Sequence, residues 1–173
     1  MGGYNSGRWG GRPTVDQSHS VDLPLMFRRG WIKDHHGSGG TLTWSRGSEQ
    51  CGSIGYTYML LDDHDPTLTL NFTRTPNGRE PETIKQVIQL AATKPEYGGR
   101  RWWMICPANG MRVATLHLPP GGDRFASRKA WRLGYHSQRI AGRDRPFEAL
   151  FKLQKKLGCS EVAPVVCTGS RLG

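Results

Sequence analysis

Residues 67–73 alternate strictly between polar and apolar side chains, in the order Thr-Leu-Thr-Leu-Asn-Phe-Thr. A period of two predicts a half-buried antiparallel strand, which we place at 68–74. Further strand-like runs lie at 41–45, 55–61 and 83–91, with turn-forming residues at 62–66 and 76–79 between neighbours. These connections are too short for a crossover between parallel strands. Residues from about 41 to 92 are therefore predicted to form an antiparallel meander or a small sandwich.

Two helices are predicted outside this β region. Asp22 can cap a short helix over 23–29, with Pro24 in its first turn and Gly30 at its end. A second helix begins near Pro146 and ends at Gly158. Its apolar face lies opposite lysines 152, 155 and 156 and consists of Phe147, Leu150, Phe151, Leu153 and Leu157. With 23 glycines and 11 prolines in 173 residues, the composition favours a β-rich chain with many turns.

The positive charge is concentrated in the C-terminal third. Residues 1–99 contain ten Lys and Arg against ten Asp and Glu, and are neutral. Residues 100–158 contain thirteen Lys and Arg against three acids, which accounts for the whole net charge of +10. A field segregated in this way attracts polyanions, whether nucleic acid, anionic lipid or an acidic protein.

Two short turns in the basic segment have the spacing of a metal-binding motif. Cys106 and Asn109 are separated by two residues, as are Ser127 and Ala130, with seventeen residues between the pairs. Four cysteines at these positions would form a two-knuckle zinc ribbon on a β-hairpin. Only Cys106 is a thiol, so no zinc ion and no other cofactor is expected. A substitute ligand, His117 or His136, stays open as an alternative. The nearby aromatic residues are expected to pack into a small apolar core, and they are Trp102, Trp103, Phe125, Trp131 and Tyr135.

The same segments resemble a family of short, uncharacterised bacterial zinc-ribbon-like proteins with the motifs GYGSGRxGGRPT, YGGxRxWFxCPxCGRRVAxLYL and FACRxCxxLxYxSQR. This chain has GGYNSGRWGGRPTV at 2–15, YGGRRWWMICPANGMRVATLHLPPGG at 97–122, RFASRKAWRLGYHSQR at 124–139 and KLQKKLG at 152–158. The resemblance implies a zinc-ribbon module whose ligand positions are Cys106, Asn109, Ser127 and Ala130, here degenerate. It also implies an accessory or regulatory protein of a phage or other mobile element.

These observations predict an α+β, mainly β fold, in which a small antiparallel β domain precedes a degenerate zinc-ribbon-like hairpin module and a C-terminal basic helix. The predicted divisions are a flexible Gly/Arg-rich segment at 1–20, the β domain with its short helix at 21–99, the basic module at 100–158 and a loose tail at 159–173. Scattered cysteines and the lack of a transmembrane-length apolar run lead us to expect a cytoplasmic protein with no membrane partner.

The leading functional hypothesis is a non-enzymatic nucleic-acid-binding protein with no catalytic residues and no small-molecule substrate. Arginine dominates the basic segment, and its guanidinium group suits phosphate pairing and base stacking. The predicted phosphate-facing residues are Arg100, Arg101, Arg112, Arg124, Arg128, Lys129, Arg132, Arg139, Arg143 and Arg145, together with Arg8 and Arg12 near the N-terminus.

Two other functions are open at this point. The basic face could instead dock on an acidic or nucleoprotein partner, as an assembly component or an inhibitor. A metal-dependent nuclease is the third possibility, with a divalent ion held by Asp62, Asp63, His64 and Asp65. A solvated turn explains those four residues more simply.

Overall fold

A computed structural model describes residues 13–33, 37–60, 65–75, 80–138, 145–157 and 165–171. Two helices are present, α1 (Leu23–Arg28) and α2 (Arg145–Lys156), with 3-10 turns at Val15–Gln17 and His136–Gln138. The strands are β1 (His19–Asp22), β2 (Ser38–Arg46), β3 (Glu49–Met59), β4 (Thr67–Arg74), β5 (Glu82–Thr93), β6 (Arg101–Ile105), β7 (Arg112–Val113), β8 (Thr115–Leu118) and β9 (Val165–Arg171). The fold is mainly β with few helices, so the predicted α+β class is confirmed.

Seven strands form one antiparallel sheet in the order β7-β6-β5-β4-β3-β2-β9. From β2 to β7, sequence neighbours are also sheet neighbours, which is the predicted meander. The β2–β3 hairpin turns at Gly47, whose φ of 66° suits a residue without a Cβ. A second sheet contains only β1 and β8, paired antiparallel through His19 opposite Leu118 to Asp22 opposite Thr115.

The core lies on one face of the large sheet. Alternate residues of β2 to β6 point into it, and the largest of them include Trp44, Tyr56 and Leu70, each 2% exposed or less. The two-stranded sheet and α1 cover this face, and they contribute Val21, Met26 and Leu116 to the same buried cluster. Burial of these side chains is the main contribution to the stability of the fold.

Helix α1 begins as the sequence predicts. Asp22 Oδ1 accepts a hydrogen bond from Leu25 N at 2.8 Å, Pro24 lies in the first turn, and the chain turns at Gly30 with a φ of 66°. In α2, the described side chains of the apolar face are exposed. These are Phe147, Leu150, Leu153 and Leu157, with exposed fractions between 53% and 71%.

The large sheet continues through the predicted division at residue 99. β5 pairs with β6 through Leu90 opposite Met104, and Trp102 and Phe125 belong to the same buried cluster as the residues of β2–β4. Residues 112–118 form two separate strands, β7 and β8. The chain breaks at Ala114, whose carbonyl accepts a hydrogen bond from Leu23 N at 3.0 Å, so that β8 can pair with β1.

The terminal segments differ from the predictions of flexible ends. Residues 13–20 are ordered because Val15 N donates to Gly134 O at 3.0 Å, and Thr14 and Ser18 are buried. In the predicted tail, Val165–Arg171 forms β9 along β2, and its backbone satisfies the hydrogen-bonding groups of that strand. The β-branched Val165, Val166 and Thr168 favour the extended conformation. The predicted flexibility of residues 1–12 lies outside the described part of the chain.

Candidate functional site

The two predicted knuckles, residues 106–110 and 127–132, are both tight turns. In the first, Cys106 O accepts from Gly110 N at 2.8 Å, and Gly110 has a φ of 66°. In the second, Ser127 O accepts from Trp131 N at 3.1 Å, and Arg132 has a φ of 51°. The left-handed backbone lets each turn reverse the chain within five or six residues.

The four predicted ligand positions lie together and are joined by hydrogen bonds. Ser127 N donates to Cys106 Sγ at 3.2 Å. The Ser127 hydroxyl oxygen accepts from Asn109 Nδ2 and from Ala130 N, both at 3.1 Å. Ser127 is 2% exposed and Cys106 is 1% exposed. One buried serine thus links the first knuckle to the second, and we call these four residues the Ser127 network.

The same network changes the acidity of the thiol. Burial raises the pKa of Cys106, but hydrogen bonds from the Ser127 side chain and from the backbone of Ser127, Ala108 and Asn109 outweigh it and lower the pKa below its ordinary value. Donors pointing at one sulfur atom are the environment that favours a thiolate.

The donor set does not fit a structural zinc ion. Such an ion needs four sulfur, nitrogen or oxygen donors in a tetrahedron. Asn109 supplies an amide and Ser127 a hydroxyl, and these two groups are hydrogen-bonded to each other, while Ala130 supplies only a methyl group. Within the part of the chain that the structure describes, no three His, Cys, Asp or Glu side chains come together. His117 lines a cavity beside Ser127, and the His136 side chain is outside the described atoms.

The aromatic residues around the network divide into two groups. Phe125 is fully buried between Trp44 and Phe72, with ring centroids 6.3 and 5.3 Å away, and Trp102 is 9% exposed. Trp131 packs against the same core. The predicted apolar packing is wrong for Tyr135, which is 44% exposed and lies under the Arg128 guanidinium at 4.9 Å. A tyrosine at the surface keeps its hydroxyl in water and offers its ring face to a cation.

Four cations gather at one place, and we call Arg101, Arg112, Arg128 and Lys129 the cationic surface. Arg112, Arg128 and Lys129 line one cavity together with Trp103. Arg101 lies over the Trp103 ring, 4.2 Å from its centroid. Among the described residues, no carboxylate lies within ion-pair distance of these four side chains. They come from β6, β7 and the second knuckle, so the fold brings them together from three segments.

The other predicted phosphate contacts with described side chains, Arg100, Arg124 and Arg132, do not line the cavity. Arg124 forms an ion pair with Asp123, which lowers the pKa of that carboxyl group. Arg100 lies over the Trp102 ring at 5.6 Å, and Arg132 is exposed on the second knuckle. The remaining predicted contacts lie outside the described side chains, and they are Arg8, Arg12, Arg139, Arg143 and Arg145.

The cavity also contains residues that the sequence analysis did not place beside the basic residues. Ser20 and Asp22 from β1 and His117 from β8 line it. His117 is 6% exposed and its Nδ1 has no hydrogen-bond partner among the described residues. Burial lowers the pKa of His117, the Arg128 charge lowers it further, and Asp22 acts in the opposite direction. These residues are nearly a hundred positions apart, and no local pattern predicts the pairing of β1 with β8.

The nuclease hypothesis has no structural test, since Asp62, Asp63 and His64 lie outside the described residues. None of the described helices is long and apolar enough to cross a membrane. Comparisons with family models, with curated proteins and with solved structures find no match to this chain.

Proposed function

We propose that this protein binds nucleic acid, without catalysing a reaction on it, through the cationic surface. The observation that carries the proposal is the convergence of Arg112, Arg128 and Lys129 around one cavity, with Arg101 over the Trp103 ring that also lines it. No carboxylate is paired to these four side chains among the described residues. Side chains in this state are available to phosphate groups, and each phosphate that they neutralise releases counterions.

The stacking of two arginines on aromatic rings supports the proposal. In the cationic surface, Arg101 stacks on Trp103 and Arg128 on Tyr135, which orients each guanidinium while leaving donors free for an anion. Arg128 Nη1 also donates to Leu133 O at 3.1 Å, which fixes its position. Preorganised cations lose less conformational entropy on binding than mobile ones.

The proposal places the protein in the cytoplasm as an accessory or regulatory factor.

The test is binding measured against salt concentration, with duplex DNA, single-stranded DNA and RNA. The logarithm of the wild-type binding constant should fall steeply and linearly with the logarithm of salt concentration. The variant R101E/R112E/K129E should lose at least ten-fold in affinity at low salt, and its slope should be shallower by about one for each phosphate contact removed. Arg128 is left unchanged because it donates to a backbone carbonyl.

The matched control is R28E/R29E/K33E, which makes the same change in charge at exposed residues that do not line the cavity. It should weaken binding far less, since only the long-range field changes. Wild-type affinity that does not depend on salt, or equal losses in the two triple variants, would contradict the proposal. Capture of one acidic protein from nuclease-treated lysate, with no affinity for the oligonucleotides, would favour the docking function instead.

A further inference from the structure

We infer that the cavity inside the cationic surface receives one unstacked nucleotide of a single strand, so that the protein prefers single-stranded nucleic acid to duplex. The inference rests on the proposed function and specifies its ligand. The cavity has a volume of about 630 Å³. Pockets that hold small ligands span about 300–1,000 Å³, so there is room for a base and its sugar.

The lining combines the two kinds of group that a nucleotide requires. Arg112, Arg128 and Lys129 supply positive charge, which suits the phosphate. Ser20 and His117 supply polar groups, which suit the edge of a base, while the Asp22 carboxylate in the same lining accepts hydrogen bonds from Leu25 N and Thr115 Oγ1. Hydrogen bonds to base edges and stacking on aromatic rings are the usual means of recognising unpaired bases.

His117 gives the second line of argument. His117 is 6% exposed, and its Nδ1 has no hydrogen-bond partner in the part of the chain that the structure describes, which is costly unless some further group satisfies it. Its backbone is fixed, because His117 N and O both bond to Ala126, at 2.8 and 3.0 Å. Burial and the Arg128 charge lower the pKa of His117, and the Asp22 charge acts in the opposite direction. The net lowering favours the neutral imidazole, which has one donor and one acceptor.

Tyr135 supplies a stacking surface at the same cavity. Its ring is 44% exposed, an unusual state for a large aromatic residue beside a packed core, and Arg128 lies over it at 4.9 Å. Stacking of a base on an aromatic ring contributes about 1–3 kcal/mol, whatever the base. A base paired within a duplex cannot enter a cavity, so this contribution is available only to an unpaired strand.

The experiment compares three labelled ligands by fluorescence anisotropy at low salt: a single strand of twelve nucleotides, its duplex, and the same strand with abasic sites. Wild-type protein should bind the single strand about ten-fold more tightly than the other two. Tyr135→Ala should remove most of this preference, and it should lower the duplex affinity by a smaller factor, because the ring also orients Arg128. Tyr97→Ala is the matched control, since Tyr97 is fully exposed and does not line the cavity.

His117→Gln provides a second readout, and its unfolding midpoint shows whether the fold is retained. It should weaken binding of the single strand and leave binding of the abasic strand unchanged. Equal affinity of wild-type protein for all three ligands, with Tyr135→Ala matching Tyr97→Ala, would overturn the inference and leave the proposed function standing. Failure to bind any of the ligands at low salt would overturn both.

Discussion

The β2–β5 part of the sheet and the two knuckles are held together by different interactions. In the sheet, apolar side chains such as Leu68, Leu70 and Ile88 are fully or almost fully buried, and their contacts are spread over four strands. The knuckles have a buried thiol and a buried serine at their centre, and the Ser127 network joins them.

The two kinds of interaction differ in how strongly stability depends on a single atom. The free energy gained by burying apolar side chains is proportional to the area buried, so the stability of the sheet is spread over many residues. The Ser127 hydroxyl oxygen accepts from two donors at once, so the loss of this one atom removes two hydrogen bonds. The knuckles should therefore be sensitive to changes that would be neutral in the sheet.

The largest effect should come from rebuilding a metal site in the knuckles. The variant N109C/S127C/A130C places four thiols at positions that already lie together, and it should bind one zinc ion per chain. Structural zinc sites contribute about 10–16 kcal/mol of binding free energy. Metal analysis and the charge-transfer spectrum of the cobalt-substituted protein measure the site, with the wild type as control. A zinc-free triple variant would show that the knuckles do not hold tetrahedral geometry.

A smaller effect is expected when the serine hydroxyl is removed. Ser127→Ala leaves Asn109 Nδ2 and Ala130 N without their acceptor, which should lower the free energy of unfolding by about 1–3 kcal/mol. Urea-induced unfolding measures the change.

Ser53→Ala is the matched control for Ser127→Ala, because Ser53 is an exposed residue of β3. It should change the free energy of unfolding by less than about 0.5 kcal/mol. Equal effects of the two substitutions would remove the contrast between the sheet and the knuckles.

The smallest effect should be a dependence of stability on pH. The folded-state pKa of His117 lies below its ordinary value of 6.5, so the unfolded chain binds the proton more readily. The contribution to stability is full above pH 6.5 and is lost as the pH falls from there through the folded-state pKa. Unfolding midpoints between pH 5 and pH 8 should show this decline, and His117→Gln should reduce it.

His19 is the necessary control for the pH prediction. Burial also lowers its pKa, so it contributes a decline of the same sign. His19→Gln and His117→Gln should each remove part of the decline, and the double variant should remove more. A profile in which His117→Gln does not differ from the wild type would contradict the role given to His117.

Local pattern predicted the strands and the short helix. The alternation at 67–73 and the cap at Asp22 each depend on residues within one element, so both can be predicted without knowledge of the fold. The spacing of Cys106, Asn109, Ser127 and Ala130 also predicted which residues lie together, because a turn fixes the distance between its own ends.

Long-range pairing explains what the sequence did not predict. β8 separates from β7 and pairs with β1, which lies nearly a hundred residues earlier in the chain. β9 pairs with β2, which lies more than a hundred residues earlier. The cavity residues Ser20, Asp22 and His117 depend on the first of these pairings. Charge counting selected ten basic residues in the C-terminal third, and only the fold distinguishes Lys129 on the cationic surface from Arg124, which is paired with Asp123.

The side chain of Gln86 on β5 couples strand register to the location of charge. Its Nε2 donates to Phe125 O and its Oε1 accepts from Phe125 N, both at 2.7 Å, so one primary amide pairs with residue 125 as an adjacent strand would. A one-residue slip of β5 would replace Gln86 with Lys85 or Val87 and turn its whole inward set outward. Neither replacement can both donate and accept, so the segment leading into the second knuckle would lose these two hydrogen bonds. The position of the second knuckle, with Arg128 and Lys129, therefore depends on the register of β5.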